Sequence, residues 1–199
     1  EVSRIGVVEI DAAAAVVVSP TYFGACADVA GLADVAHARG IPLVVDEAWG
    51  AHLHFHPELP QAALEAGADL VISSTHKIVG SLTQSAMIHL GSDRFEENII
   101  DRCVSMTEST SPNSLLCGSL DAARHRAYNH GEELLGETIR VLADTREELR
   151  WIPGLDVLDE RLLERVPHLA PVLVVRHHHQ RVIGPQHGGD EIVIGGVRR

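Results

Sequence analysis

Short apolar runs rich in β-branched residues punctuate the first half of the chain. Residues 14–18 form one, ending at Ser19-Pro20, and Pro42-Leu43-Val44-Val45 forms a second, ending at Asp46. Leu70-Val71-Ile72 is a third, closed by Ser73-Ser74, and Ser85-Ala86-Met87-Ile88-His89-Leu90 is a fourth. Each predicts a strand. Residues 26–39 place apolar side chains at helical spacing, with Gly40 suited to follow a helix C-terminus. Pro60 to Ala66 predicts a short helix closed by Gly67.

Three of the strands lack polar alternation. Strands buried on both faces read that way, as in a parallel sheet covered by helices. The alternation of strand and helix predicts an α/β layered fold. Polar residues then fall just past the C-terminal ends of the strands, where open α/β sheets bind ligands.

The pattern changes at Ser119-Leu120-Asp121, which opens a charge-rich helical stretch to residue 150 with a break expected near Gly131. Leu134, Leu135, Ile139, Leu142 and Leu149 give it an apolar stripe. Such a helix links two domains or lies on a partner. Pro153-Gly154 marks a turn, and Leu155-Asp156-Val157-Leu158 starts a smaller C-terminal domain. The expected organisation is a large domain over 1–118, a linking helical region over 119–150 and a C-terminal domain over 151–199. The tail from Arg176 has little periodicity before Glu191-Ile192-Val193-Ile194.

Composition narrows the function classes. A net charge of −12 argues against a nucleic-acid binder and is compatible with a small cationic substrate. Three cysteines at irregular spacing, Cys26, Cys103 and Cys117, argue for a reducing, cytoplasmic setting. The N-terminus has no signal-peptide pattern, and no apolar run approaches the roughly 20 residues of a membrane helix, so no membrane partner is expected. The first residue is Glu1 rather than Met, which fits a piece of a longer polypeptide.

Among the 16 basic residues, Lys77 is the one lysine. Arginine replaces lysine for most surface purposes, but its guanidinium does not readily lose a proton and attack a carbonyl. An amine used once is a candidate nucleophile for Schiff-base chemistry. Asp46 and Lys77 lie 31 positions apart, the length of one strand–helix–strand crossover, which places both on the same rim of a sheet. A carboxylate facing a pyridinium nitrogen, beside an amine, is the pairing a pyridoxal phosphate site requires. A structural salt bridge, or two unrelated surface charges, also fits the spacing.

The local sequences carry a resemblance. Asp46-Glu47-Ala48-Trp49-Gly50-Ala51-His52 and Ser73-Ser74-Thr75-His76-Lys77 resemble the Orn/Lys/Arg decarboxylase family of fold-type-I pyridoxal phosphate enzymes. So do Ser19-Pro20-Thr21-Tyr22-Phe23-Gly24, Leu82-Thr83-Gln84, Thr110-Ser111-Pro112-Asn113-Ser114 and the stretch from His130 to Leu135. The resemblance covers about residues 14 to 160 and implies a mostly parallel sheet with helices on both faces. It implies that Lys77 holds pyridoxal 5'-phosphate as a Schiff base, that Asp46 pairs with the pyridine nitrogen, and that Ala48 packs on a ring face. Ser74 and His76 would contact the phosphate or position the cofactor, His76 also serving in proton transfer. Trp49 would wall the pocket, and Thr110 and Ser111 would reach across a dimer interface.

The implied activity is decarboxylation of lysine, ornithine or arginine, in amino-acid metabolism and polyamine biosynthesis. Two alternatives stand beside it: an incompetent fragment of such an enzyme, and another fold-type-I activity such as transamination. In the family the phosphate-cradling turn and a ring-stacking aromatic precede the equivalent of Glu1, and the likeness fades after about Val166. His52, His54 and His56 alternate as metal ligands on a strand would, but Pro57 ends any strand there and the resemblance accounts for His52. Consecutive His177, His178 and His179 do not converge on one ion from a regular element. No metal is expected.

Overall fold

The computed structural model describes residues 12–155 and 157. Strands β1 (Ala15–Val18), β2 (Leu43–Asp46), β3 (Leu70–Ser73) and β4 (Met87–Leu90) form one sheet in the order β1-β2-β3-β4. The pairs β1–β2 and β2–β3 are parallel, while β3–β4 is antiparallel. The architecture is α/β with a mostly parallel sheet, as the strand pattern predicts.

Helix α1 (Val29–His37) is the crossover from β1 to β2. It starts later than the periodicity suggested, because Asp28 caps it by accepting the Gly31 N–H and the Ala27 N–H is taken by Ser19 Oγ at 2.9 Å. Gly40 adopts φ 74°, as expected just beyond the helix end. Ala33 and Ala36 of α1 pack with Leu43, Val45 and Val71 and with Ala63, Ala66 and Ala68 into the core. Residues 60–66 make only a helical turn rather than the expected helix. There the Ala63 N–H donates to the buried Glu47 carboxylate at 2.7 Å.

One face of the sheet is covered by this core. The other carries, by register, Val16, Val18, Val44, Asp46, Leu70, Ile72, Ile88 and Leu90. Val16, Val18, Ile88 and Leu90 on it are 52%, 50%, 43% and 38% exposed. Among the described residues this face is therefore open at the outer strands β1 and β4, while at the central strands Leu70 is buried and Val44 and Ile72 are partly buried.

A short helix α2 (Thr75–Ile78) follows β3, and α3 (Glu97–Thr107) follows β4 with no buried residue. Helix α4 spans Ser114–Arg150, about 55 Å at 1.5 Å per residue. It begins before the expected Ser119 because Asn113 Oδ1 accepts the Leu115 and Leu116 N–H groups. Nor does it break at Gly131. That glycine is where α4 meets the Leu53–Phe55 turn: a Cβ there would lie 2.7 Å from Phe55 Cβ. Beyond it Leu142 is 48% exposed, so part of the apolar stripe is bare. The beginning of a C-terminal domain, the stretch from Glu191 and the histidines at 177–179 lie outside the described residues.

Candidate active site

Three loops meet at the C-terminal rim of the parallel strands. The loop after β1 carries Tyr22, the end of β2 carries Asp46 and its loop Glu47 to His52, and α2 after β3 carries Lys77. The Lys77 Nζ lies over the Trp49 indole, 4.5 Å from its centroid. Tyr22 meets the same indole edge-on, centroids 5.1 Å apart at 84°. The amine of β3's loop is thus docked on the loop of β2, three residues beyond Asp46.

The β2 loop is fixed from within. The Ala48 N–H donates to Asp46 Oδ1 at 3.0 Å, and the Gly50 N–H donates to the Glu47 carbonyl at 2.8 Å. Glu47, only 1% exposed, reaches back to Ala63. Burial pushes its carboxyl above the ordinary carboxylate range, against the pull of the Ala63 amide. The neighbouring Cys26 thiol is pushed up to about 11, first by burial and then by Glu47, so it is no nucleophile. Asp46 is half-buried on the partly open sheet face.

The segment bearing Lys77 is held by the strand that follows it. His76 Nδ1–H donates to the Ser85 carbonyl at 2.7 Å, and the Lys77 N–H donates to the Ser74 carbonyl at 3.0 Å. A carbonyl only accepts, so Nδ1 carries the proton and Nε2 is left open to a ligand. Ser85 Oγ donates to Leu82 carbonyl at 2.6 Å and is hydrogen-bonded to Ser81 Oγ. Residues 74–86 therefore form the return of a β3–β4 hairpin.

Two buried polar atoms at this rim have no partner among the described residues: Thr75 Oγ1 and His52 Nδ1. Burial also pushes the His52 imidazole down, keeping it neutral. Unsatisfied buried groups are uncommon in folded proteins, and each calls for a reason.

Of the residues singled out from the sequence, Asp46, Ala48, Trp49, Ser74, His76 and Lys77 come together on two adjacent loops. Thr110 and Ser111 do not join them by any hydrogen bond among the described residues. They lie in the exposed link between α3 and α4, where the Ser111 N–H donates to Ser109 Oγ at 3.2 Å. Sequence reasoning gave no separate role to Tyr22, Thr75 or Ser85, although Tyr22 and Thr75 sit inside the quoted motifs and Ser85 opens the fourth apolar run. The alternating histidines are not a strand: His54 donates from Nδ1 to Glu65 Oε1 at 3.1 Å, and His56 Nδ1 accepts the Glu58 N–H at 3.1 Å. No cluster able to hold a metal occurs among the described residues.

Residues 7–171 match the family model described as Orn/Lys/Arg decarboxylase, major domain. The chain belongs to the Orn/Lys/Arg decarboxylase family. It is 40% identical over 153 residues to the arginine decarboxylase of Bacillus subtilis (strain 168), across 77% of this chain and 31% of that protein. The chain thus spans about a third of the length of the curated relatives it matches. Lysine decarboxylase A from Pseudomonas aeruginosa has a similar structure, with TM-score 0.57 and 25% identity over 71% of this chain and 21% of that one. The constitutive lysine decarboxylase of Escherichia coli gives TM-score 0.54 at 23% identity, over 77% of this chain and 21% of that one. Among the described residues, no helix is long and apolar enough to cross a membrane.

Proposed function

We propose that these residues form the cofactor-anchoring part of a pyridoxal 5'-phosphate-dependent decarboxylase of a basic amino acid. Arginine is the first candidate, because it is the substrate named for the Bacillus subtilis relative. The observation that carries this is the Lys77 amine lying on Trp49, beside the loop that Asp46 begins. The donor set fits the cofactor. It offers an exposed amine, a carboxylate on the neighbouring strand end, and hydroxyl and imidazole groups at Ser74, Thr75 and His76. The unpartnered Thr75 Oγ1 is a further polar atom that a ligand at this rim satisfies.

When bound, pyridoxal phosphate supplies an electron sink for the carbanion left at Cα as CO2 departs. Lys77 is its covalent anchor. Asp46, aimed by the Ala48 N–H, holds the proton on the pyridine nitrogen. Ala48 lets the ring lie close, and Trp49 walls the site. His76 offers Nε2 alone, so against a phosphate it donates only as imidazolium, and as a neutral ring it accepts a proton there. Thr110 and Ser111 serve a neighbouring protomer's site across a dimer interface. The large domain then runs over 1–118, the linking region over 119–150 and a C-terminal domain over 151–199.

A second reading is a chain that holds the cofactor without turning over, and a third is another fold-type-I activity such as transamination. Adding pyridoxal phosphate is expected to produce a visible absorbance band. Borohydride should then fix the cofactor to Lys77, as read by peptide mass, and Lys77→Ala should show neither. No band with the parent chain sinks the proposal. With arginine, CO2 release indicates the decarboxylase, keto-acid release indicates transamination, and a band without product indicates the second reading.

A further inference from the structure

Lys77 is exposed, and its long stem has no ion pair among the described residues, yet its ammonium sits 4.5 Å from the Trp49 ring centroid. Trp49 is itself positioned from two sides. The β2 loop is braced by the Ala48–Asp46 and Gly50–Glu47 bonds. Tyr22 abuts the indole edge-on, and Phe23 abuts Tyr22 in turn, with centroids 5.4 Å apart at 90°. Tyr22 and Phe23 are 72% and 84% exposed, too open for a core cluster, so they contribute little by burial. What they do contribute is a fixed indole face.

We propose that Trp49 is a positioning residue that docks the free Lys77 amine, holding it on the loop that follows Asp46 until a carbonyl arrives. A ring quadrupole attracts the charged ammonium but not the neutral amine that attacks a carbonyl. Docking therefore keeps the amine in place and restrains it from reacting with stray aldehydes. The role in catalysis rests on the proposed function; the contact itself does not.

The composition supplies the test. With one lysine in the chain, isotope-labelled lysine gives one side-chain ε-methylene signal in NMR of these 199 residues. Over an indole face that signal is shifted upfield of free lysine. Trp49→Leu should return it to the free position, while Trp49→Phe, which keeps an aromatic face, should retain part of the shift. In the same variants, imine formation with pyridoxal, which lacks the phosphate, should quicken about two- to fivefold for Trp49→Leu and less for Trp49→Phe. A parent signal at the free-lysine position overturns the proposal even if Trp49→Leu fails to fold. So does a shift that Trp49→Leu leaves unmoved, or a pyridoxal rate equal in all three proteins. A shifted, Trp49-dependent signal in a chain that gives no band with pyridoxal phosphate overturns the proposed function and leaves the docking contact standing.

Discussion

The sheet has two rims, and each carries a prominent aspartate. At the N-terminal rim of the parallel strands, Asp69 is 1% exposed and fully engaged. It accepts the Leu43 N–H at 2.7 Å, the His37 Nε2–H at 2.8 Å and the Ser92 hydroxyl, and Arg94 Nε lies 3.4 Å away. Four elements are tied there: the end of α1, the starts of β2 and β3, and the chain leaving β4. At the C-terminal rim, Asp46 is half-buried, and the hydrogen bond recorded for its side chain comes from Ala48. Near it Thr75 Oγ1 and His52 Nδ1 have no partner among the described residues. A closed network holds the fold, and an open one is available to a ligand.

The contrast breaks first on stability. Asp69→Ala strands the buried Leu43 N–H and uncouples His37 and Arg94, and is expected to cost about 3 kcal/mol in urea unfolding. Asp46→Ala should cost less than about 1 kcal/mol in the same measurement, since one exposed-side hydrogen bond is lost. Its effect should fall on pyridoxal phosphate affinity instead. Equal losses in both variants would show that the rims do not differ in kind.

Acid gives a second separation. Burial alone would raise the Asp69 carboxyl, but hydrogen bonds from Ser92, Leu43 and His37, with the His37 charge, outweigh it and hold the carboxyl below its ordinary value. Its contribution is therefore complete above the ordinary carboxylate range and is lost as pH falls through the lowered value. A plot of unfolding midpoint against pH should be flatter at its acid end for Asp69→Asn than for the parent. Glu47 runs the other way. Its raised carboxyl favours the protonated form, so the parent loses stability as pH climbs from the ordinary carboxylate range through the raised value. Glu47→Gln keeps an acceptor for the Ala63 N–H and removes that loss. A small gain in melting temperature at neutral pH, vanishing in acid, is the expected outcome; a loss at neutral pH would mean that Glu47 is needed charged.

Much of the C-terminal rim was legible in the chain, and almost none of the N-terminal one. Strand ends were visible because Pro20, Pro42 and Ser73-Ser74 interrupt the apolar runs. The lysine was visible because its residue type is otherwise absent. Asp69 looks like any acid before a strand, and nothing local connects it with His37, Leu43, Ser92 and Arg94. Those contacts form only when the crossovers close. Trp49 was visible as a residue, but its contact with Lys77 spans two loops that approach only in the folded sheet. The Pro60–Ala66 stretch failed for a related reason, since the Glu47 carboxylate takes a backbone donor a helix would have used. The double burial read from the apolar strands depended on what packs over them, which strand composition cannot show. Helix α3 does carry apolar residues at helical spacing, Ile99, Ile100, Cys103 and Val104, which the strand-centred reading passed over, and it buries nothing among the described residues.

The direction of β4 has a consequence for the lysine. Because β4 runs back against β3, the segment bearing Lys77 is tethered at both ends to neighbouring strands, and His76 adds a strut across its throat. The chain entropy of closing that loop is lost once, when the sheet forms. Afterwards the backbone under the amine has little freedom left. The volume Lys77 can search is set by its own side-chain torsions, a radius of a few bonds centred on a peg in the sheet.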